Sequence, residues 1–259
     1  MKAHPTAIIS PEAELADDVE LGPNCYIDRD VRIGEGSVIQ MGAHITGRTT
    51  IGRNCQVFPY AVIGIAPQDL KYAGEPTEVT IGDNNVIREF VTIHRGTAGG
   101  GGTTRIGNNN LLMAYSHVAH DCQVGSNVAL ANVASLAGHI EIHDNAVLGG
   151  LVGVHQFSQI GAYAIIGGCS AVDRDVIPFA MAAGNRASLH GLNVTGLRRA
   201  GFSADEIRML KDIYHLLFTS GLDREKALAR IEDEFGEHEQ AKYIIDFVTR
   251  SKRGLCTPQ

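Results

Sequence analysis

Residues 106–139 read IGNNNLLMAYSHVAHDCQVGSNVALANVASLAGH, and the aliphatic side chains fall on a strict six-residue beat: Ile106, Leu112, Val118, Val124, Leu130, Leu136. Six matches neither the 3.6-residue period of a helix nor the two-residue alternation of an ordinary strand. It matches a solenoid of hexapeptides, in which each short strand sends one aliphatic knob inward and then turns a corner. The beat runs on through Ile142, Leu148, Val154, Ile160 and Ile166 to Val172. Upstream it occupies every sixth position from Ile9 to Ile63. In such a chain the periodic residues build a rod, and function belongs where the period breaks.

Two segments break it. The first is Gly64 to Thr80, GIAPQDLKYAGEPTEVT; the second is the glycine run Gly99 to Gly102 with its flanking threonines, giving loops expected at 64–80 and 98–105. Polar, Gly/Pro-rich insertions in a solenoid are extruded from one face. Beyond Pro178 the beat stops and helical signals replace it. Ser203-Ala-Asp-Glu206 is a capping box ahead of Ile207, Leu210, Ile213, Tyr214 and Leu217 at helical spacing. Asp223 caps a second predicted helix and Tyr243, Ile244, Phe247 and Val248 mark a third. The predicted organisation is a β-helical rod over 1–185 and a C-terminal helical domain over 186–259.

Composition supports this. The 259 residues are 44% hydrophobic but 6% aromatic, with no Trp and 30 Gly, which suits a repetitive aliphatic core that turns constantly. The net charge of −7 argues against nucleic acid as the main partner. No stretch reaches the ~18 apolar residues of a membrane span, and the beat begins too early to leave room for a signal peptide. Five cysteines without a Cys-x-x-Cys pair read as small core thiols in a reducing compartment, so a cytoplasmic location is expected.

Three hexads make one coil, so residues 18 apart stack in columns. His120, Gly138 and Gln156 share one column, and Asp121 and His139 share the next. His117, His143 and His155 fall in the same region of sequence. This arithmetic assembles polar groups suited to proton transfer. An imidazole takes a proton from a hydroxyl near neutral pH, a glycine N–H offers an unobstructed oxyanion donor, and a carboxylate orients a histidine.

The segments QDLKYAGEPT at Gln68, VTIHRGT at Val91, HVAHDC at His117, LAGH at Leu136, VHQF at Val154, GGCS at Gly167 and GNRASLHGLN at Gly184 carry a family resemblance. Together they resemble the UDP-N-acetylglucosamine acyltransferases of lipid A biosynthesis, along the whole chain. The resemblance implies a left-handed parallel β-helix and transfer of an (R)-3-hydroxyacyl group from acyl carrier protein to the 3-hydroxyl of UDP-N-acetylglucosamine. It implies no metal and no cofactor beyond the carrier's phosphopantetheine thioester, and a homotrimer with sites between rods.

By the same resemblance His120 is the general base, Gly138 the oxyanion donor, and Asp121 the support of a charged imidazole, with contact to His139 left open. Asp69, Lys71, His117, His139, His155 and Gln156 match substrate contacts. Gly168 matches the position of an acyl-length stop, where a glycine leaves the slot open and a long acyl chain is expected, and Asn193 and Arg199 match nucleotide contacts. Arg198, Arg199, Arg250, Lys252 and Arg253 form a basic set suited to an acidic carrier protein. Thr195 and Ala200 depart from the family's usual Glu and second Arg, which admits a 3-amino sugar acceptor as an alternative. A zinc-dependent rod enzyme using His117, His120 and His139 and a non-catalytic β-solenoid scaffold are the remaining alternatives. The N-acyltransferase acting later in the same pathway carries an additional N-terminal domain, which hexads beginning at Ile9 count against.

Overall fold

The computed structural model describes residues 1–258. The hexads form a left-handed parallel β-helix of triangular section. Its three faces are parallel ladders of two- to four-residue strands. One face begins with Lys2–Ala3 and Glu20–Leu21, the second with Ile8–Ile9 and Tyr26–Ile27, the third with Glu14–Leu15 and Val31–Ile33. Ladder partners are 18 residues apart, as in Tyr26↔His44 and His117↔Ser135. The knobs fill the interior completely; Ile39, Ile63, Leu112, Leu136 and Leu148 are all fully buried. One coil buries nothing on its own, so stacking is what makes the core.

The two breaks are measurable in the register. Ile51 pairs with Ile81, and Ile93 with Val118, instead of with a residue one 18-residue coil away. Both insertions leave the rod at the edge between the second and third faces. Each edge is a column of residues with positive φ. Between the third and first faces it is mostly asparagine, including Asn54, Asn84, Asn109, Asn127 and Asn145, the residue type that best tolerates this conformation after glycine. Between the second and third faces it includes Asp121 at φ 60° and His139 at φ 60°. The sharp turn at that edge therefore presents chemistry-bearing side chains where asparagine serves on the edge between the third and first faces.

An antiparallel strand pair, Ala180–Ala183 with Ser188–Leu192, closes the top of the rod, a feature that neither the six-residue beat nor the helical signals anticipate. Four helices follow: α1 (Val194–Arg199), α2 (Ala204–Phe218), α3 (Arg224–Phe235) and α4 (Glu239–Arg250). The capping box at Ser203 and Glu206 and the Asp223 cap form as expected; the short α1 is an addition. The Tyr243 hydroxyl of α4 donates to His143 Nδ1 at 2.6 Å and accepts from the Ala162 N–H at 3.1 Å. Burial pushes the Tyr243 phenol up to about 12. His143 therefore fastens α4 to the third face and does not join the other histidines.

Candidate active site

The edge between the second and third faces carries a groove of about 740 Å³ that runs from Gln68 on the first loop, past His117, His120 and Gly138, to His155, Gln156 and Arg186. The predicted columns are present. The His139 N–H donates to the His120 carbonyl and the Phe157 N–H to the Gly138 carbonyl, each one coil up. His120 Nδ1 lies 2.8 Å from Asp121 Oδ2, whereas His139 Nδ1 is 3.7 Å from the same oxygen. The carboxylate thus serves His120 first. As Asp121 accepts, the proton sits on His120 Nδ1 and leaves a lone pair on Nε2.

Gly138 is where any side chain would have to displace the imidazole. A Cβ placed there would stand 2.7 Å from His120 Nε2 and closer still to Cε1. Its N–H is taken by no other group among the described residues. The glycine therefore lets the imidazole pack against its Cα, and its own N–H remains without an acceptor among the described residues.

The second break explains how the Asp121 side chain, with none of its surface exposed, is satisfied. Thr97 donates from its N–H to Oδ1 at 2.8 Å and from its hydroxyl to Oδ2 at 2.6 Å, while the Asp121 N–H donates to Thr104 Oγ1. A Cβ at Gly100 would overlap this carboxylate, so a glycine backbone is needed to pass over it. The glycine run is a cover for one anion. A buried carboxylate without such donors would cost several kcal/mol, of order 2–7 for the lost hydrogen bonds alone.

The first loop is fastened by Arg95, whose Nη1 donates to the Gly64 carbonyl and whose Nε and Nη2 both donate to the Tyr72 hydroxyl. That hydroxyl donates in turn to the Glu75 carbonyl. Asp69 on this loop accepts from the Lys71 N–H at 2.9 Å. His139 is held below the usual imidazole range by burial, opposed by Asp121, reinforced by His120 and opposed again by Asp69. Lys71 is exposed.

His117 bonds Thr92 Oγ1 through Nδ1 at 2.7 Å, and burial with the neighbouring His120 lowers its proton affinity. Beneath it the buried His94 meets its ring edge-on at 4.9 Å, and burial followed by His117 and His120 pushes His94 down to about 4. His155 and Gln156 are exposed on the groove wall.

Gly168, Asn193 and Arg199 lie elsewhere. Gly168 sits at the edge between the first and second faces, beside Gly150 and the exposed Cys169. Asn193 is at the third edge, where its Oδ1 caps α1 by accepting from the Gly196 N–H and its Nδ2 donates to the Tyr163 carbonyl. Arg199 is exposed at the end of the same helix. One chain therefore does not bring these three to His120.

Thr97, Thr104, His94 and Arg95 escaped the sequence reading because their partners lie a non-periodic distance away. The sole hint was that VTIHRGT directly precedes the break.

His120, Asp121 and His139 offer donor atoms within 4.8 Å of one another. Asp121 Oδ2 is already shared between the Thr97 hydroxyl and His120, and His117 Nδ1 is engaged by Thr92. A catalytic zinc needs three ligands aimed at an open position. In this set the Asp121 carboxylate is already engaged in hydrogen bonds with Thr97 and His120.

Comparison with known proteins follows the same line. The family described as Udp N-acetylglucosamine O-acyltransferase, Domain 2, matches residues 175–256, and the bacterial transferase hexapeptide family (six repeats) matches 30–65 and 103–135. An acyl-[acyl-carrier-protein]–UDP-N-acetylglucosamine O-acyltransferase of Thermodesulfovibrio yellowstonii is 50% identical over 253 residues, 98% of each chain. The structure of LpxA from Acinetobacter baumannii superposes with a TM-score of 0.96 at 43% identity, covering 98% of this chain and 99% of that one. The UDP-N-acetylglucosamine acyltransferase of Campylobacter jejuni gives 0.95 at 44% identity over the whole of both chains. With that identity along its full length and the same fold, the chain belongs to the UDP-N-acetylglucosamine O-acyltransferase family.

Proposed function

We propose that His120 is the general base by which this acyltransferase moves an (R)-3-hydroxyacyl group from acyl carrier protein to the 3-hydroxyl of UDP-N-acetylglucosamine, in lipid A biosynthesis. The observation that carries this reading is the His120–Asp121 contact at 2.8 Å with Gly138, whose N–H has no acceptor among the described residues, packed against the same imidazole. His120 Nε2 takes the proton of the acceptor hydroxyl as its oxygen attacks the thioester carbonyl. The negative charge gathers on the carbonyl oxygen and is met by the Gly138 N–H. Collapse expels the carrier thiolate, which receives the proton back from the imidazolium, so no acyl-enzyme forms. Asp121 offsets the transient imidazolium charge, and Thr97 holds Asp121 in place. A positioned base of this kind contributes ~10²–10⁴-fold in rate.

Asp69, Lys71, His117, His139, His155 and Gln156 serve as substrate contacts along the groove. Gly168, Asn193 and Arg199 act in a neighbouring chain's site. Their placement on other edges of the rod supports a homotrimer, since closed threefold packing sets unlike edges together. So does an exposed ladder of Tyr60, Phe90 and Tyr115, stacked at 5.3 and 4.9 Å and 43–57% exposed. Among the described residues no helix is long and apolar enough to cross a membrane. Four of the five free thiols are buried, which fits a cytoplasmic protein, and the reaction so written uses no cofactor beyond the carrier's own thioester.

The test is acyl transfer from (R)-3-hydroxyacyl carrier protein to UDP-N-acetylglucosamine and, in parallel, to its 3-amino analogue. Transfer to the natural sugar lost in His120→Ala is the expected result. Unchanged turnover in that variant overturns the base assignment, and a strong preference for the amino sugar redefines the acceptor.

A further inference from the structure

Helix α4 is fastened to the rod through a titratable pair that the mechanism above does not use. His143 follows the knob Ile142 on the third face, and the Tyr243 hydroxyl of α4 meets its Nδ1 at 2.6 Å. The hydroxyl oxygen also accepts from the Ala162 N–H at 3.1 Å, and among the described residues it has no other partner. Its single proton therefore goes to Nδ1, which has to be a bare acceptor, and the ring keeps its own proton on Nε2. A second proton on the ring would occupy Nδ1 and set two donors against each other. The phenol would then have to turn its proton away within a half-buried contact that offers it no acceptor.

The surroundings of the ring set the direction of its titration. On the third face Glu141 Oε2 lies 4.0 Å from His143 Nε2, and Asp144 follows in the turn with Oδ1 taken by the Ser126 N–H. Arg105 and Gln123 line the same groove. From α4 come Asp246 and Arg250, paired with each other at 2.7 Å, and the Phe247 ring, which meets the imidazole edge-on at 5.6 Å. Burial dominates and holds His143 below the ordinary imidazole value of 6.5; Glu141, Asp144 and Asp246 oppose it and Arg250 adds to it.

We propose that the Tyr243–His143 contact is a pH-sensitive latch, in which protonation of His143 undocks α4 from the third face and loosens the C-terminal tail. The helix runs directly into that tail, which is tied to the top of the rod by Ser251 Oγ donating to Asp175 Oδ2 at 2.6 Å and by the Cys256 N–H donating to the Asp175 carbonyl. Above pH 6.5 the ring is neutral whether α4 is docked or not, and the latch is closed. Below it the undocked ring takes up a proton that the docked ring refuses, so docking weakens as the pH falls, until the docked ring itself titrates. One proton separates the two states, so the undocking equilibrium rises by up to ~10-fold per pH unit through that window.

The experiment is hydrogen–deuterium exchange of the whole protein between about pH 5 and about pH 8, with each amide corrected for its intrinsic rate. In the wild-type protein, peptides from 239–258 are expected to lose protection by up to ~10-fold per pH unit below 6.5, while peptides from the rod at 31–63 do not. His143→Asn keeps an acceptor for the phenol but cannot take a proton, so its α4 should exchange independently of pH. Tyr243→Phe removes the donor; α4 should then exchange faster already at neutral pH, and His143 should titrate closer to its ordinary value by NMR. Wild-type protection of α4 that does not change with pH overturns the proposal. So does the wild-type slope persisting in His143→Asn, which assigns the response to Glu141, Asp144 or Asp246. An unchanged His143 titration in Tyr243→Phe also overturns it, and decides the matter by itself if His143→Asn does not fold.

Discussion

Gly138→Ala adds one methyl group at the point where the backbone passes the His120 imidazole. The new Cβ would lie 2.7 Å from His120 Nε2 and nearer to Cε1. Non-bonded carbon contacts settle at ~3.5–4.0 Å, so the ring has to retreat by about 1 Å. It has little freedom to do so, because Nδ1 is tied to Asp121 at 2.8 Å and Asp121 is itself pinned by both donors of Thr97. A misplacement of about 1 Å costs ~10²-fold in rate. Stretching a hydrogen bond to a charged group costs ~1.5–3 kcal/mol, the same order. Gly138 is not among the glycines with positive φ, so the backbone accepts alanine and the fold survives. Steady-state acyl transfer should show kcat down ~10²-fold with KM little changed, the pattern of an interaction lost in the transition state. A folded Gly138→Ala protein turning over at the wild-type rate would refute the placement of His120 against Gly138.

Thr97→Val keeps the shape and the N–H but removes the hydroxyl that donates to Asp121. It should cost ~1.5–3 kcal/mol of stability together with activity, while Thr97→Ser retains most of both; thermal unfolding and kcat check this. His94 is held neutral to about 4, well under the ordinary imidazole value of 6.5, by burial. Between these two pH values the unfolded chain binds a proton that the folded chain refuses, so stability falls as pH drops through that window. Thermal unfolding of His94→Asn against pH should be visibly flatter there, and an identical acid limb in both proteins counts against the buried neutral imidazole. Arg95→Met removes three hydrogen bonds to Gly64 and Tyr72. Limited proteolysis should then cut within residues 64–80 much faster, with the rod intact because no core knob is involved; equal cutting rates would show that the loop is held by other contacts.

The repeat was legible because every knob repeats one physical requirement, burial against its neighbours above and below. Once Ile106 to Val172 is in register, counting in eighteens places His120 under Gly138 and Asp121 under His139 without any structure. The same register assigns His143, one residue beyond the knob Ile142, to the third face, although its nearness in sequence to His139 suggests the edge bearing His120. Capping residues Ser203 and Asp223 were equally readable, since a helix start is a local event.

What the sequence determined, then, is the rod, its columns and the stacking of His120 under Gly138, because those follow from short-range periodicity. The tertiary structure alone decided where the two insertions go. Thr97 reaches Asp121 and Arg95 reaches Tyr72 across non-repeating separations, and loop closure of that kind leaves no periodic trace. It also decided which edge each remaining residue occupies. Gly168 and Asn193 sit on edges of the rod other than the one bearing His120, and Asp173 gathers Arg186 from the closing hairpin and Arg253 from the tail. Periodicity states a residue's height along the rod; what meets it there from outside the repeat is settled by packing in three dimensions.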